Sequence, residues 1–307
     1  MKILITGACG HIGSYVIRKI DNIKKLKELI IVDNLNTQRY SSLFKLSKKI
    51  KINFFQIDLS KKNSLNKFKN VDIIIHLASQ TNAAASFSNK DEMFKNNLGL
   101  MKNVINYCVN NNTKLIHISS TSVYGKQVKI VNEDNKDFLK PQSPYAEIKL
   151  IEEKMLMKNK NKLKYISFRF GTIAGVSTGM RFHTAINKFC YDASFNNKIK
   201  VYKTAYRQYR PYLSLRDAFK AIKICIENNL FKNDVFNVLT GNFTVEQIIK
   251  MIKKYKKKIS IEFVVSSIMN QLSYHVDNSK IKKLGINLNS NIENDIKETI
   301  QLFSYNK

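Results

Sequence analysis

The chain has 307 residues, 44% of them hydrophobic, and 52 Lys+Arg against 23 Asp+Glu give a formal charge of +29. That apolar content fills the core of one large domain or of two unequal lobes, and no stretch approaches the roughly 18 apolar residues a membrane span needs. The positive charge is lysine dispersed along the chain, with only seven arginines, no Trp and little Pro, a bias expected of an AT-rich coding sequence and not of a nucleic-acid binder, which favours Arg forks.

The N-terminus, Met1 to Thr6, is a short apolar run that meets Gly7. A secretory segment is longer and ends in a small-residue cleavage site, so a cytoplasmic protein is expected. Cys9, Cys108, Cys190 and Cys225 form no CxxC pair and fit no zinc spacing, so free, mostly buried thiols and no metal site are expected. Short runs rich in Ile, Val, Leu and Phe predict strands at Lys2–Thr6, Leu29–Asp33, Ile52–Ile57, Val71–Leu77, Lys114–Ser119 and Tyr165–Phe170. They lack polar alternation, the mark of strands buried on both faces of a parallel sheet. Helical patterns lie between them, at Ile12–Ile20, Met93–Asn110 and Ser143–Lys158, the last with Ser143 as N-cap and Pro144 in the first helical position. After about residue 172 the pattern loosens. A helix is expected at Asp217–Asn228, a strand at Asp234–Leu239, a helix opened by the capping box Thr244-x-x-Gln247, a strand at Ile259–Val265 and a last helix near Ser290-x-x-Glu293.

Thr6-Gly7-Ala8-Cys9-Gly10-His11-Ile12-Gly13 follows the first strand and opens a helix. The first glycine makes the tight turn, the second admits a pyrophosphate to the backbone, and the third lets helix pack on strand. The start of that helix, with His11 and Ile12, faces the phosphates with free N–H groups. Asp33 ends the second strand twenty residues after Gly13, with Asn34 beside it. A carboxylate there takes both ribose hydroxyls and repels a 2′-phosphate, which favours NAD over NADP. Asp58-Leu59, after the third strand, is placed to hold the adenine edge. The architecture expected is α/β: a Rossmann doubly wound parallel sheet over residues 1–172 binding NAD, and a smaller C-terminal α/β substrate-binding lobe over 173–307. Some strand and helix near 201–240 is expected to return to the core.

Tyr145 and Lys149 read YxxxK and share one helix face. A nearby ammonium favours phenolate, so Tyr145 can act as base toward a hydroxyl or acid toward a ketone. Tyr15 and Lys19 have the same spacing, but they lie inside the first helix, where packing accounts for them. What sets the later pair apart is Ser119-Ser120-Thr121-Ser122-Val123-Tyr124-Gly125, just past the fifth strand. Ligands of open α/β sheets sit at such carboxyl ends, where Ser120 can bond the substrate oxygen beside Tyr145.

In these motifs nearly the whole chain resembles the extended short-chain dehydrogenases/reductases, the NAD-dependent epimerase/dehydratase group of nucleotide-sugar enzymes. Further matches are His76-Leu77-Ala78 and Asn96 with Gly99. The resemblance implies that Ser120, Tyr145 and Lys149 are catalytic, that Tyr145 and Lys149 also meet the cofactor, and that Leu77, Ala78 and Asn96 lie along the NAD. Gly171 is expected beside the cofactor, with Thr121 and Thr172 beside the substrate. Arg210, in Arg210-Pro211-Tyr212-Leu213, resembles the segment whose arginine meets the nucleotide diphosphate.

Departures narrow the activity. Thr121 and Ser122 stand where sugar 4,6-dehydratases carry Asp-Glu, which argues against dehydration. Thr172 stands where UDP-hexose 4-epimerases carry Asn, and a second phosphate arginine expected near Ser267 is missing. The stretch from Arg169 to Phe189 resembles a branch with RFxTxxGxSxxMR, which makes Arg181 and Asn187 candidate substrate contacts and His183 pocket lining or structure, not a catalyst. An NAD-dependent nucleotide-sugar epimerase or dehydrogenase acting at C4 is expected, with a 4-ketoreductase or a non-catalytic NAD-binding regulator as alternatives. The resemblance also implies a homodimer paired through the helices at Met93–Asn110 and Ser143–Lys158; neither nucleic acid nor membrane is expected as a partner.

Overall fold

Burial of alternate side chains on opposite sides of the same strands produces a sheet covered on both faces. The computed structural model describes residues 1–81, 85–127, 129–265 and 274–304. In chain order the first part runs β1 (Lys2–Thr6), α1 (His11–Lys19), β2 (Glu28–Asp33), β3 (Lys51–Gln56), β4 (Ile73–His76), α2 (Lys90–Asn110), β5 (Lys114–Ser120), α3 (Pro144–Lys158) and β6 (Tyr165–Phe170). Next come β7 (Thr172–Ala174), α4 (Ala185–Ser194), β8 (Ile199–Tyr202), β9 (Tyr209–Ser214), α5 (Leu215–Glu227) and β10 (Val235–Val238). The chain closes with β11 (Gly241–Thr244), α6 (Val245–Tyr255), β12 (Ile261–Val264), α7 (Ser279–Lys282) and α8 (Ile292–Gln301).

Seven parallel strands form the main sheet in the order β10-β6-β5-β4-β1-β2-β3. Ile3 and Ile5 of β1 pack with Ile17 of α1 and Ile222 of α5. Leu4, between them, points the other way and packs with Met101 and Val104 of α2 and Leu156 of α3. The strand order reverses between β1 and β4, which opens a crevice at their carboxyl ends. The last strand, β10, comes from well beyond residue 172 and pairs with β6 from Val235↔Ser167 to Val238↔Phe170.

The smaller lobe has its own core, in which Ile186 and Cys190 of α4, Ile248 and Ile252 of α6 and Ile296 of α8 meet Tyr212. It carries the sheet β11-β9-β7 and the parallel pair β12-β8. No helix of the structure is long and apolar enough to cross a membrane, among the described residues.

One expectation is corrected. The strand at 52–57 is not buried on both faces: β3 lies at the sheet edge with only β2 beside it, and its residues are half-buried or exposed. The last helix starts close to Ser290, at Ile292, but Ser290 is not its cap. The Ser290 backbone N–H and hydroxyl donate to Asp217, the hydroxyl at 2.8 Å, and Asn291 caps α8 by accepting from the Glu293 N–H. The expected caps of α3 and α6 are present: Ser143 accepts from the Ala146 N–H with Pro144 following, and Thr244 and Gln247 bond reciprocally.

Candidate active site

The glycine-rich loop owes its shape to contacts that no side chain fits. Gly7 has φ +65°, and a Cβ there would stand 2.6 Å from the Ala78 nitrogen; one on Gly13 would stand 2.5 Å from the Gly7 carbonyl oxygen. The loop therefore closes tightly between β1, the end of β4 and the start of α1. Thr6 supports it from below: its hydroxyl accepts from the Leu77 and Ala78 N–H groups and lies 2.7 Å from His76 Nδ1.

Gly7, Gly10, Gly13, Asp33, Leu59 and Asn96 line one cavity of about 480 Å³, within the range of small-molecule sites. His11, Ile12, Asn34, Leu77 and Ala78 share its wall. The Asp33 carboxylate accepts from the Cys9 N–H through Oδ2 and from the Leu35 N–H through Oδ1, each at 2.9 Å. Each oxygen keeps a further lone pair for a pair of hydroxyls. Burial and the Asp33 charge push the Cys9 thiol up to about 12, so it stays protonated in the loop. Asp58 is placed differently. Its Oδ1 accepts from the Ser60 N–H and hydroxyl, at 2.9 and 2.7 Å, and only its neighbour Leu59 is on the cavity wall.

Residues 175–181 are strapped across the loop, which explains the glycines and serine of that stretch. His11 Nε2 donates to the Gly175 carbonyl at 2.8 Å, the Ser177 hydroxyl donates to the His11 carbonyl at 2.8 Å, and the Gly179 N–H donates to Ser14 Oγ at 2.8 Å. A Cβ on Gly179 would lie 2.2 Å from the Cys9 carbonyl oxygen. The strap delivers Arg181 to the cavity wall, where its Nη1 bonds Thr81 and its Nε has no partner among the described residues. Asn187, buried in the first turn of α4, holds this segment by donating to the Arg181 carbonyl at 3.1 Å. His183 also lines the cavity.

Tyr145, Lys149 and Ser120 are not on that wall: Tyr145 and Lys149 belong to α3, and Ser120 ends β5. Arg181 is close enough for its charge to act on the Tyr145 phenol. The Lys149 ammonium is buried, 5.9 Å from the Tyr145 ring centroid. Ser120 caps the turn over Thr121–Tyr124 by accepting from the Ser122 N–H at 3.2 Å and hydroxyl at 2.9 Å, which leaves its own hydrogen to donate. Thr121 Oγ1 donates to the Phe170 carbonyl at 3.3 Å. Gly171 is wedged against β9, where a Cβ would lie 3.0 Å from the Pro211 oxygen, and Thr172 pairs with Tyr212. Arg210 projects from β9 with buried Nε and Nη2 that have no partner among the described residues. Tyr15 of the other YxxxK stacks edge-on with Phe219, 6.4 Å away, as packing requires. The position near Ser267 lies outside the described residues.

Sequence reading missed several cavity residues. Arg39 lies on the wall and interacts electrostatically with Asp33; it follows that aspartate in the same loop, and its being one of seven arginines was a usable signal. Thr81 and Gln80 also line the cavity, and buried Asn97 clamps Gln80 by bonding its N–H and carbonyl at 2.9 and 3.0 Å. Nothing local in the sequence marks that clamp.

Residues 3–238 match the NAD dependent epimerase/dehydratase family. The chain belongs to that family. It is 25% identical to ADP-L-glycero-D-manno-heptose-6-epimerase of Brachyspira hyodysenteriae, over 85% of this chain and 83% of the relative. It is 26% identical to a trifunctional UDP-glucose 4,6-dehydratase/UDP-4-keto-6-deoxy-D-glucose 3,5-epimerase/UDP-4-keto-L-rhamnose-reductase of Arabidopsis thaliana over 99% of this chain, and spans only 47% of that protein. In fold it resembles the crystal structure of UDP-glucuronic acid 4-epimerase from Bacillus cereus, solved with UDP-glucuronic acid and NAD. The TM-score is 0.85 at 22% identity, with 99% of each chain covered.

Proposed function

We propose that this member of the family is an NAD-dependent nucleotide-sugar epimerase or dehydrogenase acting at the sugar C4. The observation that supports the reading is a glycine-cradled cavity with Asp33 on its wall, whose wall residue Arg181 interacts electrostatically with Tyr145, the neighbour of Lys149. The cavity's donor set fits NAD: a glycine cradle at a helix N-terminus for the pyrophosphate and Asp33 for the adenosine ribose. Leu77, Ala78 and Asn96 would lie along the cofactor, with Lys149 at the nicotinamide ribose. When bound, the cofactor supplies the hydride acceptor.

The protein's own part is proton work and placement. Ser120 donates to the substrate oxygen. Tyr145 takes the proton of the C4 hydroxyl, and the Lys149 ammonium stabilises the resulting phenolate. The unpartnered Arg210 Nε and Nη2 suit a diphosphate, and Arg181 and Asn187 border the sugar. Thr121 and Ser122 offer hydroxyls engaged with Phe170 and Ser120, not carboxyl groups, which argues against a dehydration step. A ketone reduced on its other face gives epimerisation; one released gives a dehydrogenase. The same site run backwards is a 4-ketoreductase. Retention of both Tyr145 and Lys149 favours an enzyme over a non-catalytic NAD-binding regulator. A homodimer through α2 and α3 is part of the reading, and exposed Met157 on α3 is available to such a contact.

Incubation with NAD⁺ and UDP-glucose, UDP-glucuronic acid, dTDP-glucose or an ADP-heptose, followed by NMR, tests this. One sugar nucleotide is expected to change at C4, and C4-deuteration to slow the change. Deuterium kept in the sugar identifies an epimerase, and deuterium in NADH a dehydrogenase. A change confined to C6, or no isotope effect from C4, would contradict the C4 assignment.

A further inference from the structure

Beneath the site, between α3 and the sheet, four polar side chains form a buried chain. Lys149 Nζ donates to Glu152 Oε2 at 2.8 Å, and His117 Nε2 reaches the same oxygen at 3.0 Å. His117 Nδ1 lies 2.8 Å from Ser167 Oγ. All four are buried, Lys149 to 4% exposure and Glu152 to 1%. A carboxylate only accepts, so His117 carries a hydrogen on Nε2.

Anchoring α3 to the sheet does not fall to Glu152 alone. The next residue shares it: Glu153 accepts from Arg169 Nε and Nη2 at 2.9 and 2.6 Å and from the Ser119 hydroxyl at 2.5 Å. The hydrogen-bond partners of the Glu152 carboxylate among the described residues are Lys149 and His117. We propose that Glu152 is a positioning residue, which keeps Lys149 protonated and fixed beside Tyr145 and the cofactor ribose. This rests on the proposed role of Lys149 in NAD binding.

A buried ammonium without a counter-charge gives up its proton. Burial alone would lower the Lys149 pKa, yet its net direction is upward, because Glu152 outweighs that cost. Burial works against the Glu152 carboxylate, but Lys149 and His117 hold it down at about 2. The other groups facing the pair do not replace this charge. From α3 they are Tyr145 and the already paired Glu153, and from β5 His117. From β4 comes His76, which burial pushes down to about 3 and keeps neutral. Arg181 and Tyr274 act on Tyr145 from outside α3.

The test is NAD⁺ binding by calorimetry across pH 6.5 to 9, in the full-length protein, for wild type, Glu152→Gln, Glu152→Asp, Lys149→Met and Lys149→Met/Glu152→Gln. Gln is close to isosteric and keeps an acceptor, so it spares the fold. In Glu152→Gln the NAD⁺ affinity is expected to fall about tenfold between pH 6.5 and 9, the size of a lost charged hydrogen bond, while wild type changes little. Glu152→Asp restores the flat profile, and Glu152→Gln has no further effect once Lys149 is Met. A flat profile in Glu152→Gln, or the same loss on the Lys149→Met background, overturns the proposal. If wild type binds no NAD⁺ at pH 6.5, the functional reading itself falls, and this inference with it.

Discussion

Replacing Tyr145 by Phe is expected to lower turnover about 10²- to 10⁴-fold, the range that general acid–base catalysis contributes. The substitution removes one oxygen and keeps the ring that packs 5.9 Å from the Lys149 ammonium. Tyr145 sits in the first turn of α3, whose N-cap bond from the Ala146 N–H to Ser143 is unaffected. The fold and the cavity that receives the dinucleotide are therefore retained, and NAD⁺ affinity should stay within a few-fold of wild type. Loss of turnover with binding intact separates proton transfer from placement. The pair of measurements is single-turnover kinetics on the sugar nucleotide the wild type converts, and calorimetry with NAD⁺. Turnover within about fivefold of wild type would remove Tyr145 from the chemistry.

The second large effect is on stability. Arg169→Ala is expected to cost about 3–5 kcal/mol, because it leaves the Glu153 carboxylate buried without its ion partner. Arg169 and Glu153 have 4% and 6% side-chain exposure, so water does not screen the pair. The guanidinium also donates to the Tyr124 hydroxyl at 2.8 Å, which in turn donates to Asn237 Oδ1 at 2.8 Å, so one side chain links β6, α3, the turn after Ser120 and β10. The melting temperature should drop by on the order of 10 °C. Arg169→Met with Glu153→Leu removes both charges and should recover part of the loss. A double variant no better than Arg169→Ala would show that the arginine acts through packing instead.

Much of the main sheet could be read from the sequence because its strands carry their own signal. Ile3-Leu4-Ile5 and Ile73-Ile74-Ile75 are apolar on both sides, which only a covered sheet tolerates. The smaller lobe is different. β7 is three residues long and is held by pairing with β9, forty residues later, from Thr172↔Tyr212 to Ala174↔Ser214. β9 itself runs from exposed Tyr209 through half-buried Arg210 to four buried residues, Pro211 to Ser214, and so lacks either period. Helix α4 was hidden for a related reason: its buried face includes Asn187 and Asp192, polar residues that read as surface.

At the site, the glycines, Asp33, Tyr145 and Lys149 were visible because backbone geometry and charge demand those residue types at fixed spacing. Thr81 was not, since it reaches the cavity from a loop whose course the sequence does not dictate, and neither was Asn97, which acts from α2 through its bonds to Gln80. Glu152 falls between. Its i,i+3 spacing from Lys149 was available, but its pairing with His117, which stands among Leu115, Ile116 and Ile118 of β5, was not.

The central claim is that this cavity holds NAD for chemistry at Tyr145. The most direct measurement is to denature the purified protein, identify released dinucleotide by mass spectrometry and nicotinamide absorbance, and titrate whatever protein remains empty with NAD⁺. Released NAD or NADH, or saturable NAD⁺ binding that Asp33→Ala weakens, is the predicted result. No released dinucleotide together with no binding on titration would contradict the account.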